Sequence, residues 1–408
     1  MNESKKEQTQ LSNELLDDWA TNTKGPVALH MKQRLFAVEG EDGEDQIIYP
    51  PTYADIGYNI DQLSDGTRVA LIDSVGSQAN RLEPVFKIDS GNTLSTLVPQ
   101  IDIVIRKEGC GECAECKKNK SKVDKCEKPW KEKRSLHDLA HRAADAVVQS
   151  SPVLQSRVAE AFDILRKTGN ATPLCTIAPT SLLFGCWDSR GGSGEKRPRL
   201  VRAIIRAWDV EELHTAAQFN SVWKSLNEEQ KGQLEKALPK GKKLSEKGFK
   251  DAPAVKYKDG RRILGGIMVR GVIRRDVTIN LVALRGLSGG EQNDPLRRYL
   301  LALSILTATE DIELFLREGC NLRYADNGDQ WYSVPRRGDK KPVDLVSDSA
   351  RKLLLKYAEN AYEPFKDMWN KTEWPEGSVQ KNGTLEIEFN ISKAKELLSK
   401  KTEDESGE

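Results

Sequence analysis

The stretch Phe184–Trp208, FGCWDSRGGSGEKRPRLVRAIIRAW, joins a Gly-rich loop to a run of arginines. Residues 181–184 have the pattern of the end of a buried strand. Pro198 favours the start of a helix, because proline is common at the first helical position. We therefore predict a helix over 199–208 with one apolar stripe and one opposed basic face. The stripe contains Val201, Ile204, Ile205 and Trp208, and the basic face contains Arg199, Arg202 and Arg206.

This Gly-rich loop and the predicted helix start have the properties of a phosphate-binding site. Glycines allow a ligand to approach the backbone closely, and free N–H groups at a helix N-terminus attract anions. The spacing differs from that of a nucleotide-binding P-loop and from the dinucleotide fingerprint. Several arginines in a row fit a polymeric phosphate backbone better than a single nucleotide. The alternative is a solvated basic helix behind a flexible loop.

The length and composition of the chain are those of a polar globular protein with a large core. Its 408 residues are 38% hydrophobic and 31% charged, which allows two or three domains or one domain with long insertions. No apolar run approaches the roughly 20 residues that span a bilayer. The N-terminal sequence MNESKKEQTQ lacks the apolar segment of a signal peptide. We therefore predict a cytoplasmic protein without a membrane partner.

The charges of the chain are segregated, although the formal net charge is only +1. Residues 117–134 carry nine lysines and arginines against three acids, and residues 190–206 carry six against Glu195 alone. Residues 261–275 add five arginines without an acid, so the remainder of the chain is acidic. Local basic segments, rather than the pI, set the affinity of such a chain for a polyanion.

A second motif, DSVGSQANRLEP at Asp73–Pro84, follows a short buried strand predicted at Val69–Ile72. Asp73 or Ser74 can cap a short helix, and Pro84 discourages its continuation. The motif could bind a sugar-phosphate backbone through mixed hydrogen-bond donors, or it could be an ordinary capped turn with a hydrogen-bonded asparagine. The candidate donors are Ser77, Gln78, Asn80 and Arg81.

Four of the seven cysteines lie within residues 110–126, with the spacing C-x2-C-x2-C-x9-C. A chain without an export signal does not favour disulfides. Four thiolates suit tetrahedral zinc. A Lys-rich insertion with few apolar residues requires a bound metal to keep a defined structure. Reduced surface thiols and an iron–sulfur cluster are the alternatives. The candidate ligands of a structural zinc ion are Cys110, Cys113, Cys116 and Cys126.

The segment 135–149, SLHDLAHRAADAVVQ, predicts a helix in which His137 and His141 lie one turn apart. With further histidines, such an array could form the metal site of a phosphohydrolase. Only His30 and His214 remain in the chain, so helix capping, salt bridges or RNA contact are favoured instead.

Strands and helices alternate along the chain with long polar insertions between them, which predicts the α+β class. Val27–Val38 and Ile263–Leu284 have the period-2 pattern of strands, and the segment 211–238 is predicted to be helical and polar. The predicted organisation is an N-terminal arm at 1–24, the first part of a palm at 25–90, a Cys/Lys-rich insertion at 91–134, a palm and helical part at 135–210, a polar insertion and possible thumb at 211–262, the second part of the palm at 263–345, and a C-terminal helix, strand and acidic tail at 346–408.

Five sequence motifs, taken together and in chain order, resemble those of the backbone subunit of CRISPR Cascade complexes of subtype I-G (formerly I-U). That subunit is of the Cas seven type and belongs to the RAMP superfamily. The likeness covers roughly residues 27–308, and the combination is far more specific than any single motif. The motifs are PPTYA at Pro50–Ala54, DSVGSQANRLEP at Asp73–Pro84, HRAADA at His141–Ala146, LLFGCWDSRGGSGEKRPRLVRAIIRAWDV at Leu182–Val210 and IRRDVTINLVALRGL at Ile273–Leu287.

The resemblance implies a palm with an RNA-recognition-motif (ferredoxin-like) fold and finger and thumb insertions, which polymerises along the spacer of a CRISPR RNA. The implied partners are CRISPR RNA, target DNA through the guide, copies of the same chain, other Cascade subunits and a recruited nuclease-helicase. The palm lacks the aromatic consensus of stand-alone RNA-recognition motifs, which favours backbone contacts over base stacking. The cysteine cluster departs from the family pattern. The guide contacts that the resemblance implies are Ser77, Gln78, Asn80, Arg81, Arg190, Lys196, Arg197, Arg199 and Arg202. Further candidate RNA contacts come from the basic segments and from the segment 135–149, and they are His141, Arg142, Arg206, Arg274 and Arg275.

Two other classes of protein compete with this interpretation. A metal-dependent target-RNA endonuclease would use Asp73, which follows a strand, but no second carboxylate lies in that motif. A free-standing zinc-containing RNA-binding protein would not assemble on guide RNA. We expect no catalytic activity, because the motifs nowhere bring a nucleophile, a base and a metal together.

Overall fold

The protein has the predicted α+β class, with mostly antiparallel strands. The strands are β1 Ala28–Ala37, β2 Gln46–Ile48, β3 Ile60–Gln62, β4 Arg68–Asp73, β5 Gln100–Glu108, β6 Trp130–Ser135, β7 Val201–Trp208, β8 Val210–His214, β9 Leu264–Val269, β10 Ile273–Asn280, β11 Phe315–Arg317, β12 Cys320–Tyr324, β13 Trp331–Val334, β14 Lys341–Val343, β15 Val379–Lys381 and β16 Thr384–Glu388. The helices are α1 Asn13–Thr21, α2 Val75–Leu82, α3 Ala114–Lys118, α4 Ala146–Gln149, α5 Pro152–Thr168, α6 Thr172–Ile177, α7 Thr180–Leu183, α8 Ser221–Ser225, α9 Glu228–Ala237, α10 Leu281–Arg285, α11 Asn293–Ala308, α12 Asp348–Asn370 and α13 Ile391–Ser399.

A central sheet of nine strands organises the fold. Its strand order is β11-β12-β1-β10-β7-β4-β3, and β13 and β14 extend it beside β1. We describe the protein from a computed structural model, which places residues 8–54, 56–88, 91–118, 126, 128–186, 198–214, 221–250, 264–325, 330–374, 378–381 and 383–399.

Successive residues of each central strand point to opposite faces of the sheet. One face, which we call the core face, carries apolar residues that belong to the hydrophobic core together with α1, α5, α11 and α12. The opposite face, which we call the outer face, carries charged and polar side chains at most positions of β1, β7 and β10. The core face includes Leu29, Met31, Leu35, Val201, Ala203, Ile205, Ala207, Ile273, Val277 and Ile279.

The predicted strand at Val27–Val38 is confirmed by β1, but the predicted helix over 199–208 is wrong. Those residues form β7, which pairs with β10 on one side and β4 on the other. Apolar residues recur there at every second position as well as at helical spacing, and pairing with two neighbouring strands decides between the two patterns. The predicted strand end at 181–184 is also wrong, because Thr180–Leu183 is the helix α7.

The segment 135–149 does not form the predicted continuous helix. It contains two short 3-10 turns, Leu136–Asp138 and Arg142–Ala144, before α4. Arg142 has a φ of 54°, a left-handed conformation that interrupts helical backbone. The predicted helical segment 211–238 likewise begins as a strand, β8, before α8 and α9.

Two smaller sheets flank the central one. The strands β2, β9 and β8 form an antiparallel sheet that follows directly from β7 through Asp209. The other sheet has the order β15-β16-β5-β6, in which β16 runs parallel to β5. The hairpin of β5 and β6 carries the cysteine segment between its strands.

The first helix is part of the core. The side chains of Leu16, Trp19 and Ala20 in α1 are at most 2% exposed, and α1 packs against α11. Ser12 caps the helix by accepting a hydrogen bond from the Leu15 amide. The predicted N-terminal segment 1–24 therefore contains a helix that packs on the rest of the protein.

Candidate functional site

Three of the predicted motifs meet where the Gly-rich loop leaves the core. Arg199, which follows the loop, donates through Nε to the carbonyl of Phe184 (2.7 Å). Arg142 donates through Nη1 to the carbonyl of Gly185 (3.2 Å) and through Nη2 to Oδ1 of Asn80 (3.2 Å). We call this group the loop base. Residues from α2, from the segment 135–149 and from both ends of the loop are thus within hydrogen-bonding distance of one another.

Two arginines of the loop base, Arg142 and Arg199, lie close enough to interact electrostatically. Partial burial and the nearby Arg142 guanidinium lower the pKa of Arg199. Arg142 itself lies with its guanidinium carbon 5.1 Å from the centre of the Phe184 ring. Arg199 is the exposed member of this pair, so its guanidinium is the group at the loop base that is placed to bind a phosphate.

Arg142 is fixed by a buried ion pair. Its Nε lies 2.6 Å from Oε2 of Glu83, and the two side chains are 3% and 1% exposed. His137 lies beside the pair, with its Nε2 3.3 Å from the carbonyl of Pro99. Because the pair is buried, it holds Arg142 in one position against Gly185.

A buried polar network connects α2 to the central sheet. Gln78 is fully buried; it donates to Asp73 (2.6 Å) and accepts a hydrogen bond from Nε of Arg275 (2.9 Å). Arg275 also donates to Oε1 of Gln33 in β1 (3.1 Å). Arg81 donates to Asp73 (3.1 Å) and to the carbonyls of residues 315 and 316 in β11. The network fixes the position of α2 relative to β1, β10 and β11.

The predicted RNA contacts differ in their accessibility, and some of them lie outside the described residues. The buried ones, whose donors are directed into the protein, are Gln78, Arg142 and Arg275. The exposed or half-exposed ones are Ser77, Asn80, Arg81, His141, Arg199, Arg202, Arg206 and Arg274. Arg190, Lys196 and Arg197 lie outside the described residues.

The outer face adds cations and aromatic rings that the sequence-based prediction did not include. The guanidinium carbons of Arg34 and Arg323 lie 4.9 and 5.0 Å from the centre of the Phe36 ring. Lys340 lies 3.7 Å from the centre of the Tyr332 ring. These residues are distributed over β1, β12, β13 and the β13–β14 turn, so only the strand pairing brings them together.

The four cysteines of the β5–β6 hairpin form a candidate metal centre, as their spacing predicted. Their sulfur atoms all lie within 4.8 Å of one another, and the Sγ atoms of Cys113 and Cys126 are 4.0 Å apart. A tetrahedral zinc ion with Zn–S bonds of about 2.3 Å requires sulfur–sulfur separations of about 3.8 Å. The cluster could therefore hold a metal such as zinc.

The backbone around the cysteines is shaped for thiolate ligands. The amides of Cys110, Cys113 and Cys116 donate to the sulfurs of Cys126, Cys110 and Cys113 at 3.3, 3.3 and 3.4 Å. The hydrogen bond from the Cys110 amide lowers the pKa of the Cys126 thiol. A Cβ atom at Gly109 would lie 2.6 Å from Sγ of Cys116, so a side chain there would displace the sulfur.

The base of this hairpin is anchored by Glu386 of β16, which is 6% exposed. Its carboxylate accepts hydrogen bonds from Lys131 (2.5 Å) and Lys133 (2.6 Å) of β6. Burial alone would raise the pKa of Glu386, but these two hydrogen bonds outweigh burial and lower it. The anchor ties the cysteine hairpin to the C-terminal strand.

Comparison with known proteins supports a CRISPR-associated (Cas) protein. Residues 29–212 match the profile of a family described as CRISPR-associated protein GSU0053. The matched range includes α2, the cysteine hairpin, the loop base and β7. A search of curated proteins found no match. Among the residues that the structure describes, no helix is both long and apolar enough to cross a membrane.

Proposed function

We propose that the chain is the CRISPR-RNA-binding backbone subunit of a Cascade-type complex of subtype I-G. In this proposal, copies of an RNA-recognition-motif-like palm polymerise along the guide spacer and present it for pairing with target DNA. The family match over residues 29–212 supports a role in a CRISPR system. The observation that carries the proposal is the convergence of three predicted guide-binding motifs at the loop base.

The loop base would hold the guide by its phosphates. Arg199 and the amide of Asn80 present donors at the surface, and Arg142 behind them holds the Asn80 side chain by a hydrogen bond to its Oδ1. Contacts with phosphates position a nucleic acid without reading its sequence. The guide would then select its target by base pairing, as in other RNA-guided effectors. The other Cascade subunits and a nuclease-helicase would complete the complex, and this chain would have no catalytic role.

We propose that the cysteine cluster binds one structural zinc ion. The donor set consists of four sulfur atoms, which suits zinc better than magnesium or calcium. The ion would order the end of the β5–β6 hairpin, where the described residues 109–118 contain only one short helix. Hydrophobic contacts are few there, since Cys116 is the only buried residue described between 109 and 118.

RNA binding by the full-length protein tests the guide-binding proposal. The affinity for two guides of unrelated spacer sequence is measured by fluorescence anisotropy over a series of salt concentrations. We expect similar affinities for the two guides and a steep fall with salt, because phosphate contacts release counterions. Equal affinity at low and high salt, or a strong preference for one spacer, would contradict the proposal.

Variants at and away from the loop base sharpen this test. Arg199→Glu should weaken guide binding, whereas Arg166→Glu, on an exposed position of α5, should not. Electron microscopy should show filaments on guide RNA. With divalent metal and a complementary RNA or DNA present, all strands should stay intact. Regularly spaced cuts that Asp73→Ala abolishes would establish a nuclease instead.

Metal analysis of the purified protein tests the zinc proposal. We expect one zinc ion per chain, lost in Cys113→Ser. Cys175→Ser is the matched control, because Cys175 is buried in the core away from the cluster. A protein without zinc, or an unchanged zinc content in Cys113→Ser, would exclude the proposed site.

A further inference from the structure

Three arginines form a row across the outer face of the central sheet. Arg34 in β1 lies directly opposite Arg274 in β10, and Arg274 lies directly opposite Arg206 in β7. Residues directly opposite one another point to the same face of a sheet. Neighbouring strands are about 4.8 Å apart, so the three side chains leave the sheet within about 10 Å of one another. We call these residues the arginine row.

This row is electrostatically unfavourable in the free protein. Like charges directly opposite one another destabilise a sheet. Arg34 pairs with Asp42, and Nη2 of Arg274 lies 3.2 Å from Oδ2 of Asp276. No carboxylate within the described ranges pairs with Arg206. The row therefore keeps an excess of positive charge.

The positions around the row increase this excess. Lys32 and Arg202 are exposed on the same face, two residues from Arg34 and four from Arg206. On the outward positions of β1, β7 and β10, Asp276 is the only carboxylate, against five lysines and arginines. A surface with this charge attracts a polyanion.

An aromatic ring lies at one end of the same surface. Trp208 is partly exposed on the outward position next to Arg206, and the guanidinium of Arg274 lies 4.2 Å from its ring centre. Surfaces that bind single-stranded nucleic acid combine cations along the phosphate backbone with aromatic rings that stack on bases. A free phosphate would need one cluster of donors, whereas this surface distributes its charges over three strands.

We propose that the arginine row is a second binding surface for single-stranded nucleic acid, which crosses the strands of the central sheet. The surface is distinct from the loop base. Five residues of extended strand separate Val201, beside the loop base, from Arg206, a distance of about 17 Å. The positive charges of the row would also fit an acidic protein. The choice of nucleic acid as the ligand therefore rests on the proposed function. The partly exposed Trp208 favours a strand with unpaired bases.

Binding of an oligouridine that cannot pair with itself tests the proposal in the full-length protein. Arg206→Ala should lower the affinity and reduce the slope of log K against log salt by about 0.7, the value for one phosphate contact in a single strand. Its thermal unfolding temperature should be unchanged or raised, because the substitution removes repulsion within the row. Arg166→Ala is the matched control and should change neither quantity.

Photo-crosslinking provides an independent readout. An oligouridine that contains 4-thiouridine should crosslink to a peptide of β7 or β10. Crosslinks confined to residues of the loop base would overturn the proposal, as would a salt slope in Arg206→Ala and Arg206→Glu equal to that of the unmodified protein.

The variants separate this proposal from the proposed function. If Arg199→Glu loses guide RNA while the Arg206 variants keep full affinity for both RNAs, the arginine row is not a binding surface and the guide-binding function stands. If the Arg206 variants lose oligouridine while Arg199→Glu retains it, the two surfaces are independent and the inference is supported. A protein that binds neither RNA would refute both proposals.

Discussion

Replacement of Arg142 by alanine should destabilise the protein strongly, although the sequence suggests an RNA contact. The Nε atom of Arg142 lies 2.6 Å from Glu83 in an ion pair whose members are 3% and 1% exposed. Truncation of one partner leaves the other charge buried without compensation, which costs about 3–5 kcal/mol of unfolding free energy. The hydrogen bonds to Asn80 and Gly185 are lost as well, but they belong to the same network and do not add independently.

Urea unfolding followed by tryptophan fluorescence measures this loss. The matched control is Arg202→Ala, an exposed arginine, which should change the unfolding free energy by less than about 0.5 kcal/mol. The double variant Glu83→Gln/Arg142→Ala should be more stable than Arg142→Ala, because no buried charge is left unpaired. A loss below about 1 kcal/mol for Arg142→Ala would refute the assignment of this pair as a stabilising contact.

Two further predictions concern the cysteine hairpin. Glu386→Gln should destabilise the β5–β6–β16 sheet by roughly 1–3 kcal/mol at pH 7 in urea unfolding, because it weakens two hydrogen bonds from lysines. A carboxyl whose pKa is lowered by folding stabilises the protein above its unfolded pKa, so the difference between Glu386→Gln and the unmodified protein should shrink as the pH falls below the ordinary value of 4.5. Gly109→Ala should weaken zinc binding, measured by competition with a chromophoric chelator, because its Cβ would displace the sulfur of Cys116; unchanged affinity would contradict this geometry.

The cysteine cluster could be predicted from the sequence because its geometry is local. Cys110, Cys113 and Cys116 follow one another at intervals of three residues, so a short local segment of backbone brings their sulfurs together. Only Cys126 depends on the return of the chain, which the β5–β6 hairpin provides. Similarly, α2 was correctly predicted because Ser74 caps it and accepts a hydrogen bond from the Ser77 amide.

The strand β7 could not be predicted correctly because its sequence satisfies two periodicities. Arginines at 199, 202 and 206 have helical spacing, while Val201, Ala203, Ile205 and Ala207 recur at every second position and alternate with Arg202 and Arg206. Pairing with β4 and β10 makes these residues a strand rather than a helix. Both partner strands lie more than 60 residues away in the sequence, one on either side. The same long-range pairing creates the arginine row, which no local pattern indicates.

Buried polar residues account for the other difference between the predicted and observed sites. Gln78 was predicted to contact RNA because it lies in the donor-rich motif at Asp73–Pro84, and Arg275 because it lies in a basic segment. In the structure Arg275 donates hydrogen bonds to Gln78 of α2 and to Gln33 of β1. A buried polar group costs little when all its hydrogen bonds are made, and it then fixes one arrangement of the elements that carry it.

Asp73 is a buried carboxylate in the network that holds α2 on the sheet. Its carboxylate is 2% exposed and accepts hydrogen bonds from Gln78 and Arg81. A metal-dependent nuclease needs carboxylates that reach both a divalent cation and the scissile phosphate. Within the described ranges, the cysteine cluster is the only group of three or more His, Cys, Asp or Glu side chains placed to ligate a metal. A cleavage site at Asp73 would therefore require the network that holds α2 on the sheet to open.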